Sequence, residues 1–168
     1  MGYVNDTAMS QYIPPTAMHF VTGTWTEAAG QTAGTIVKIK GANAETSVIT
    51  VPIMIPSNSV ALKGGYLKSV EVDYEIRTAA ATSITASMKK VVRGADGSDA
   101  APATVVVTQD LVAATDAADV DEHKLVVTIT TPFWIDNDEY VLLVLTAICA
   151  AGTVLEILGA VANYTLRV

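Results

Sequence analysis

The C-terminal stretch EYVLLVLTAICAAGTVLEILGAVANYTLRV, Glu139 to Val168, constrains this chain more than any other, since only Glu139, Glu156 and Arg167 in it carry charge. Two structures accommodate such a segment: one membrane-spanning helix, or two long strands folded about Ala150-Ala151-Gly152. The apolar run from Tyr140 to Ala162 exceeds the roughly 20 residues a spanning helix needs. Against the helix, Glu156 falls deep in the span, where an acidic or basic residue costs about 2.5–3.5 kcal/mol on insertion scales. No Lys or Arg cluster flanks either end to set an orientation, and the residues before Cys149 are mostly β formers. The strand reading is adopted. It puts Tyr140, Leu142, Val144, Thr146 and Ile148 on one face and Val141, Leu143, Leu145 and Ala147 on the other. On the last strand Val154, Leu158, Ala160, Ala162, Tyr164 and Leu166 oppose Leu155, Ile157, Val161, Asn163 and Thr165. A strand apolar on both faces predicts a central position with cover on each side: the core, and then an N-terminal arm, a loop or another subunit.

The rest of the chain supplies the sheets. Tyr66–Arg77 (YLKSVEVDYEIR) alternates cleanly, with Tyr66, Val70, Val72, Tyr74 and Ile76 on one side and only Lys68 breaking the row. This predicts a half-buried antiparallel strand with a wet outer face. Thr82–Arg93 repeats the pattern with Ile84, Ala86 and Met88 inward, and would set Lys89, Lys90 and Arg93 opposite Glu71, Asp73 and Glu75 if the two strands paired. Ser47–Ile55 places Ile49, Val51, Ile53 and Ile55 on one face, and Pro52 within it marks an edge or a bulge. Further strands are expected over Ala17–Thr26, Gly34–Lys40, Ala103–Thr108 and His123–Thr130, with loops at Pro56–Ser59, Gly64-Gly65, Gly94–Pro102 and Ala113–Glu122. Before residue 139 no segment reads as a helix. Residues 1–16 end in Ile13-Pro14-Pro15, which forbids a helix and predicts an extended arm able to lie along another surface. The fold expected is all-β: an antiparallel, jelly-roll-like β-sandwich over residues 17–168, preceded by the arm.

Composition narrows the function. Hydrophobic residues make up 51% of the 168 and charged ones only 16%, against about 25% charged in average domains. The shortfall predicts surface hidden between copies of the same chain. A net charge of −7 argues against nucleic acid and anionic lipid. The single Cys149 excludes an internal disulfide and reads as a buried thiol. The start of the chain lacks the pattern of a signal peptide, so synthesis in a cytoplasm without standard export is expected.

Chemical signatures are sparse. His19 and His123 lie in strands with no partner placed beside them. Asp136-Asn137-Asp138-Glu139 lacks the Gly and distal Glu of a calcium-binding EF-hand loop and reads as a turn. Asp116, Asp119, Asp121 and Glu122 read as a solvated loop. Asn5-Asp6-Thr7 and Asn163-Tyr164-Thr165 fit the glycosylation sequon but carry little without a secretion signal. No nucleophile, P-loop or paired-histidine motif is present, so no catalytic, cofactor or metal residue is assigned and the chain is expected not to be an enzyme. Trp25, Trp134 and Tyr66 would stack on sugars if exposed together, although Trp25 alternates with Val21 and Gly23 as a core residue does.

The run Leu67 to Lys89, with TITTPFWIDNDEYVLLVLTA and ILGAVANYTLRV, resembles β-sandwich modules of phage structural proteins, the matching residues being Val70–Ile76, Asp136–Val144 and Gly159–Thr165. The resemblance lies in strand residues and transfers no active site. It implies a jelly-roll-like virion building block, often trimeric. The leading expectation is therefore a non-enzymatic, self-assembling subunit of a phage-like virion, such as a capsid decoration protein, made in the host cytoplasm and partnered by its own copies and other capsid subunits. The alternative is a glycan-binding or adhesin module.

Overall fold

The structure, a computed structural model, describes residues 6–30, 35–57, 64–94, 96–98, 102–110 and 117–167. Asn5, Asn58, Ser59 and Asp116, named above, lie outside them. Twelve strands run β1 (Asp6–Ile13), β2 (His19–Thr22), β3 (Trp25–Ala29), β4 (Ile36–Lys40), β5 (Glu45–Ile53), β6 (Gly65–Arg77), β7 (Ala81–Val92), β8 (Ala103–Val105), β9 (Val107–Gln109), β10 (Glu122–Trp134), β11 (Glu139–Cys149) and β12 (Val154–Arg167), with a 3-10 turn at Pro15–Ala17. They form two antiparallel sheets, the jelly-roll-like sandwich expected. One has the order β3-β4-β12-β6-β10-β9, with β1 added along β12; the other is β2-β5-β11-β7-β8. Apolar rows at every second position meet between the sheets, among them Val70, Val72 and Tyr74 of β6 and Leu143, Leu145 and Ala147 of β11, all at most 1% exposed. The predicted inward rows of β5 and β7 are buried as well.

Several expectations about pairing are corrected. The terminal stretch is no hairpin. β11 is central in the five-stranded sheet, between β5 and β7, while β12 is central in the seven-stranded one. Residues 150–153 step from one sheet to the other, held by Gly152 N–H donating to Ala42 O at 2.8 Å and by Thr153 Oγ1 donating to Ala80 O at 2.7 Å. β6 and β7 also lie in different sheets, separated by a crossing at Thr78, whose φ is 75°. Lys89, Lys90 and Arg93 of β7 therefore do not sit opposite Glu71, Asp73 and Glu75 of β6. Glu71 Oε2 takes Lys124 of β10 at 2.9 Å, and Lys90 takes Glu139 at 2.6 Å. Ala17–Thr26 is two strands, broken where Glu45 accepts the Thr24 N–H at 2.9 Å. Ala103–Thr108 divides the same way, β8 pairing β7 and β9 pairing β10.

Pro52 sits where its strand has one partner. It pairs with Leu142 of β11, but the β2 register ends at Thr50, so a missing N–H on that side costs no ladder bond. The segment expected as an arm is extended from Asp6 to Ile13 and hydrogen-bonded to β12 of the same chain, from Asp6↔Arg167 to Ile13↔Ala160. It lies on the seven-stranded sheet, and among the described residues the outer face of β11, for which cover was expected, has none. There Tyr140 and Ile148 are exposed and Leu142, Val144 and Thr146 half-buried. No helix among the described residues is long and apolar enough to cross a membrane.

Candidate functional site

The outer face of the seven-stranded sheet gathers the chemistry, and two irregularities place its aromatic residues. The β6–β12 register shifts between Asn163↔Ser69 and Tyr164↔Leu67, so Lys68 is an extra residue and the alternation reverses beyond it. Leu67 then faces the core at 0% exposure. Tyr66 turns outward, contrary to the row read from the sequence. On β10 the register jumps from Thr128↔Ser69 to Phe133↔Leu67, which brings Trp134 opposite Tyr66. Their ring centroids stand 4.9 Å apart at 47°, both rings half-buried. With Asp6, Ala8, Lys68 and Thr165 they line a cleft of about 400 Å³.

Next to this pair the face is polar and cross-linked over four strands. Ser10 Oγ of β1 donates to Asn163 Oδ1 of β12 at 2.7 Å, and Asn163 Nδ2 donates to Glu71 Oε1 of β6 at 2.8 Å. Lys124 of β10 closes the row on Glu71 Oε2. The Lys124 ammonium and the Asn163 amide hold the Glu71 carboxyl below its usual range against the opposing effect of burial. Asp73, one turn of the pleat further, is raised by burial, partly offset by Lys124 and reinforced by Glu71. Chemically, such a face can stack on a flat ring and exchange hydrogen bonds with polar groups.

Other residues singled out in the sequence lie elsewhere. Trp25 is not part of the aromatic pair. Its Nε1 donates to Thr22 O at 3.0 Å and its ring rests on Phe20, 4.8 Å between centroids, against the core. His19 is exposed on β2, and His123 Nε2 lies 3.1 Å from Asp119 O with its ring 5.3 Å from Tyr74. The turn at Asp136 is internally satisfied: Glu139 Oε2 accepts the Asp136 N–H at 3.1 Å, and Oε1 pairs with Lys90. Asp119 and Asp121 accept the N–H groups of Val120 and Glu122. Cys149 is buried as expected, and its thiol is pushed up by that burial. Among the described residues no group of three or more His, Cys, Asp or Glu is placed to hold a metal ion.

Residues that sequence reasoning passed over include Lys40, 0% exposed, whose Nζ donates to the carbonyls of Gly41 and Asn43 at 2.6 Å and of Thr153 at 3.1 Å. It ties the β4–β5 loop to the β11–β12 crossing. Asn163 and Ser10 were also missed as a linked pair. Only the pairing of β1 with β12 reveals them, and no local pattern signals it.

No protein-family model matches the chain, and no curated protein matches it. Among solved structures it is similar to an arabinose-bound α-L-arabinofuranosidase, MgGH51, with 10% identity and a TM-score of 0.39 over 91% of this chain but 24% of that one. The chain thus spans about a quarter of that protein's length. It is similar to TmCBM61, solved in complex with β-1,4-galactotriose, with 8% identity and a TM-score of 0.37 over 96% of this chain and 88% of that one. The xylan-binding domain CBM22-1 of Paenibacillus barcinonensis Xyn10C gives 13% identity and a TM-score of 0.38 over 92% of both chains. Likeness at this level carries nothing about ligand or activity.

Proposed function

We propose that this protein binds carbohydrate on the outer face of its seven-stranded sheet. The observation that carries the reading is the Tyr66–Trp134 pair, two half-buried rings 4.9 Å apart on the wall of an open cleft. A pyranose presents an apolar face to an aromatic ring and hydroxyls at its rim. Lys68 and Asp6 stand around the rings as partners for those hydroxyls. Screening the full chain on a glycan array tests it. Binding should be lost in Trp134→Ala and Tyr66→Ala, with the fold verified by circular dichroism, and should persist in Trp25→Ala. Binding to no glycan, or binding indifferent to both substitutions, overturns it.

A second reading, self-association as in a virion subunit, is favoured by the outer face of β11. Its row Tyr140, Leu142, Val144, Thr146 and Ile148 is flanked on β5 by Pro52 and Val48 and is left uncovered by the described residues. At about 3.3 Å per residue and 4.8 Å between strands this stripe measures roughly 27 by 10 Å. That is well below the ~800 Å² per partner of a standard interface. The stripe by itself supports only a weak, concentration-dependent contact.

A further inference from the structure

At the far end of the same face stands a tyrosine that the fold leaves outside. Tyr12 of β1 is 57% exposed, yet its ring is not free to wander. Its hydroxyl donates to Leu158 O at 2.8 Å, and the ring lies so close over Gly159 that a Cβ there would come within 2.5 Å of Tyr12 Oη. A ring pinned in place with one side open to solvent is a ready stacking surface, because little freedom is lost when a ligand covers it. Concavities flank it on both sides. One of about 470 Å³ is bounded by Tyr12, Asp73, His123, Lys124 and Leu158. The other, about 460 Å³, is bounded by Tyr12, Pro14, Ile36, Glu75 and Leu158.

Register gives the separation of the two aromatic stations. Tyr12 pairs with Val161, while Tyr66 pairs with Thr165, four residues further along β12 and on its opposite side. The two backbone positions are thus displaced by roughly 13 Å along the strands and 10 Å across them, about 16 Å in all. A single sugar does not reach both. The ground between them is the hydrogen-bonded row of Ser10, Asn163 and Glu71, with Ser69 beside it.

We infer that this face is one continuous groove for a linear, uncharged polysaccharide chain, gripped at one end by Tyr66 and Trp134 and at the other by Tyr12. The inference rests on the carbohydrate reading and deepens it. The charge at the Tyr12 end disfavours acidic chains. Around Tyr12 stand Asp73, Glu75 and Glu122, while the ammonium of Lys124 is already engaged by Glu71. A uronic acid chain laid there would meet like charge.

Isothermal titration calorimetry of the full chain with neutral gluco-, xylo- and galacto-oligosaccharides, from disaccharide to hexasaccharide, tests the groove. In the series that binds, affinity should climb about tenfold or more with length, as the second station is reached. Tyr12→Ala should remove that gain while leaving the shortest binding sugar within twofold, and Tyr12→Phe, which keeps the ring, should retain most of it. Trp134→Ala should abolish both. An oligogalacturonate of equal length should bind at least tenfold more weakly at pH 7. If short sugars bind through Trp134 but length and Tyr12 make no difference, the groove is overturned and the carbohydrate reading survives. If the hexasaccharide binds normally in Trp134→Ala, or no oligosaccharide binds the unaltered protein, that reading falls with it. Equal affinity for the oligogalacturonate overturns the restriction to neutral chains.

Discussion

Two buried charges show how single side chains hold this sandwich together, and they predict opposite outcomes. Lys40 is fully enclosed but satisfied, its three donors spent on the carbonyls of Gly41, Asn43 and Thr153. Lys40→Met leaves those carbonyls without their donor and loosens two loops at once. It should cost about 2–4 kcal/mol in urea unfolding. Glu156 is as deeply enclosed, 1% exposed, and its ion-pair partner is Arg77, whose Nη1 lies 2.8 Å from Oε1. Burial raises the Glu156 pKa, Arg77 opposes the rise and Glu75 adds to it. A raised carboxyl contributes stability that is fully present below its unfolded pKa and is lost as pH rises through its folded one. The stability of the wild type relative to Glu156→Gln should therefore fall as pH rises from the ordinary Glu range to 7. Unfolding both proteins across that range isolates the effect, since Asp73 and Glu71 titrate alike in each. A flat difference would refute it.

Among the elements, β12 is the one whose irregularity matters most. Its inward residues are odd-numbered up to Ile157 and even-numbered from Ala160, a reversal made at Gly159 where the β6 register shifts. The same glycine leaves room for the Tyr12 ring. Gly159→Ala should expel that ring and strain the bulge, lowering stability by about 1–3 kcal/mol. It should also reproduce the Tyr12→Ala loss of affinity for long oligosaccharides, which calorimetry on the folded variant would read. The reversal at Lys68 does comparable work on β6. Without it Tyr66 would point into the core, as simple alternation had suggested, and the pair with Trp134 would not exist.

Across the whole molecule the two outer faces divide two chemistries. The hydrogen-bonded polar row, the half-buried Tyr66–Trp134 pair and the exposed Tyr12 lie on the seven-stranded sheet, and the β11 stripe with Tyr140 lies on the other. The core separates them, so they should act independently. Val144→Asp on the outer side of β11 should remove any concentration-dependent association in sedimentation velocity while leaving glycan affinity within twofold. Association that persists unchanged in Val144→Asp would place the contact elsewhere on the surface.

Much of this architecture was legible in residue order, because alternation and turn chemistry are local. The rows Ile49–Ile55 and Ile84–Met88 are buried as their spacing dictated, and the terminal stretch is strand, although only one of the two apolar rows of β11 is buried. What local pattern does not carry is which sheet a strand joins. A crossing at Thr78 or at residues 150–153 looks the same in sequence as a hairpin turn, yet β6 and β7, and β11 and β12, lie in different sheets. Nor does alternation announce a bulge. One inserted residue at Lys68 moves every side chain beyond it to the other face, and only the register against β12 reveals it. The candidate site depended on both: Tyr66 needed the bulge, Trp134 the matching irregularity in β10, and Asn163 the docking of β1. Sequence periodicity settles where strands are and which rows are apolar. Contacts far apart in sequence decide which rows face each other, and therefore where a ligand can lie.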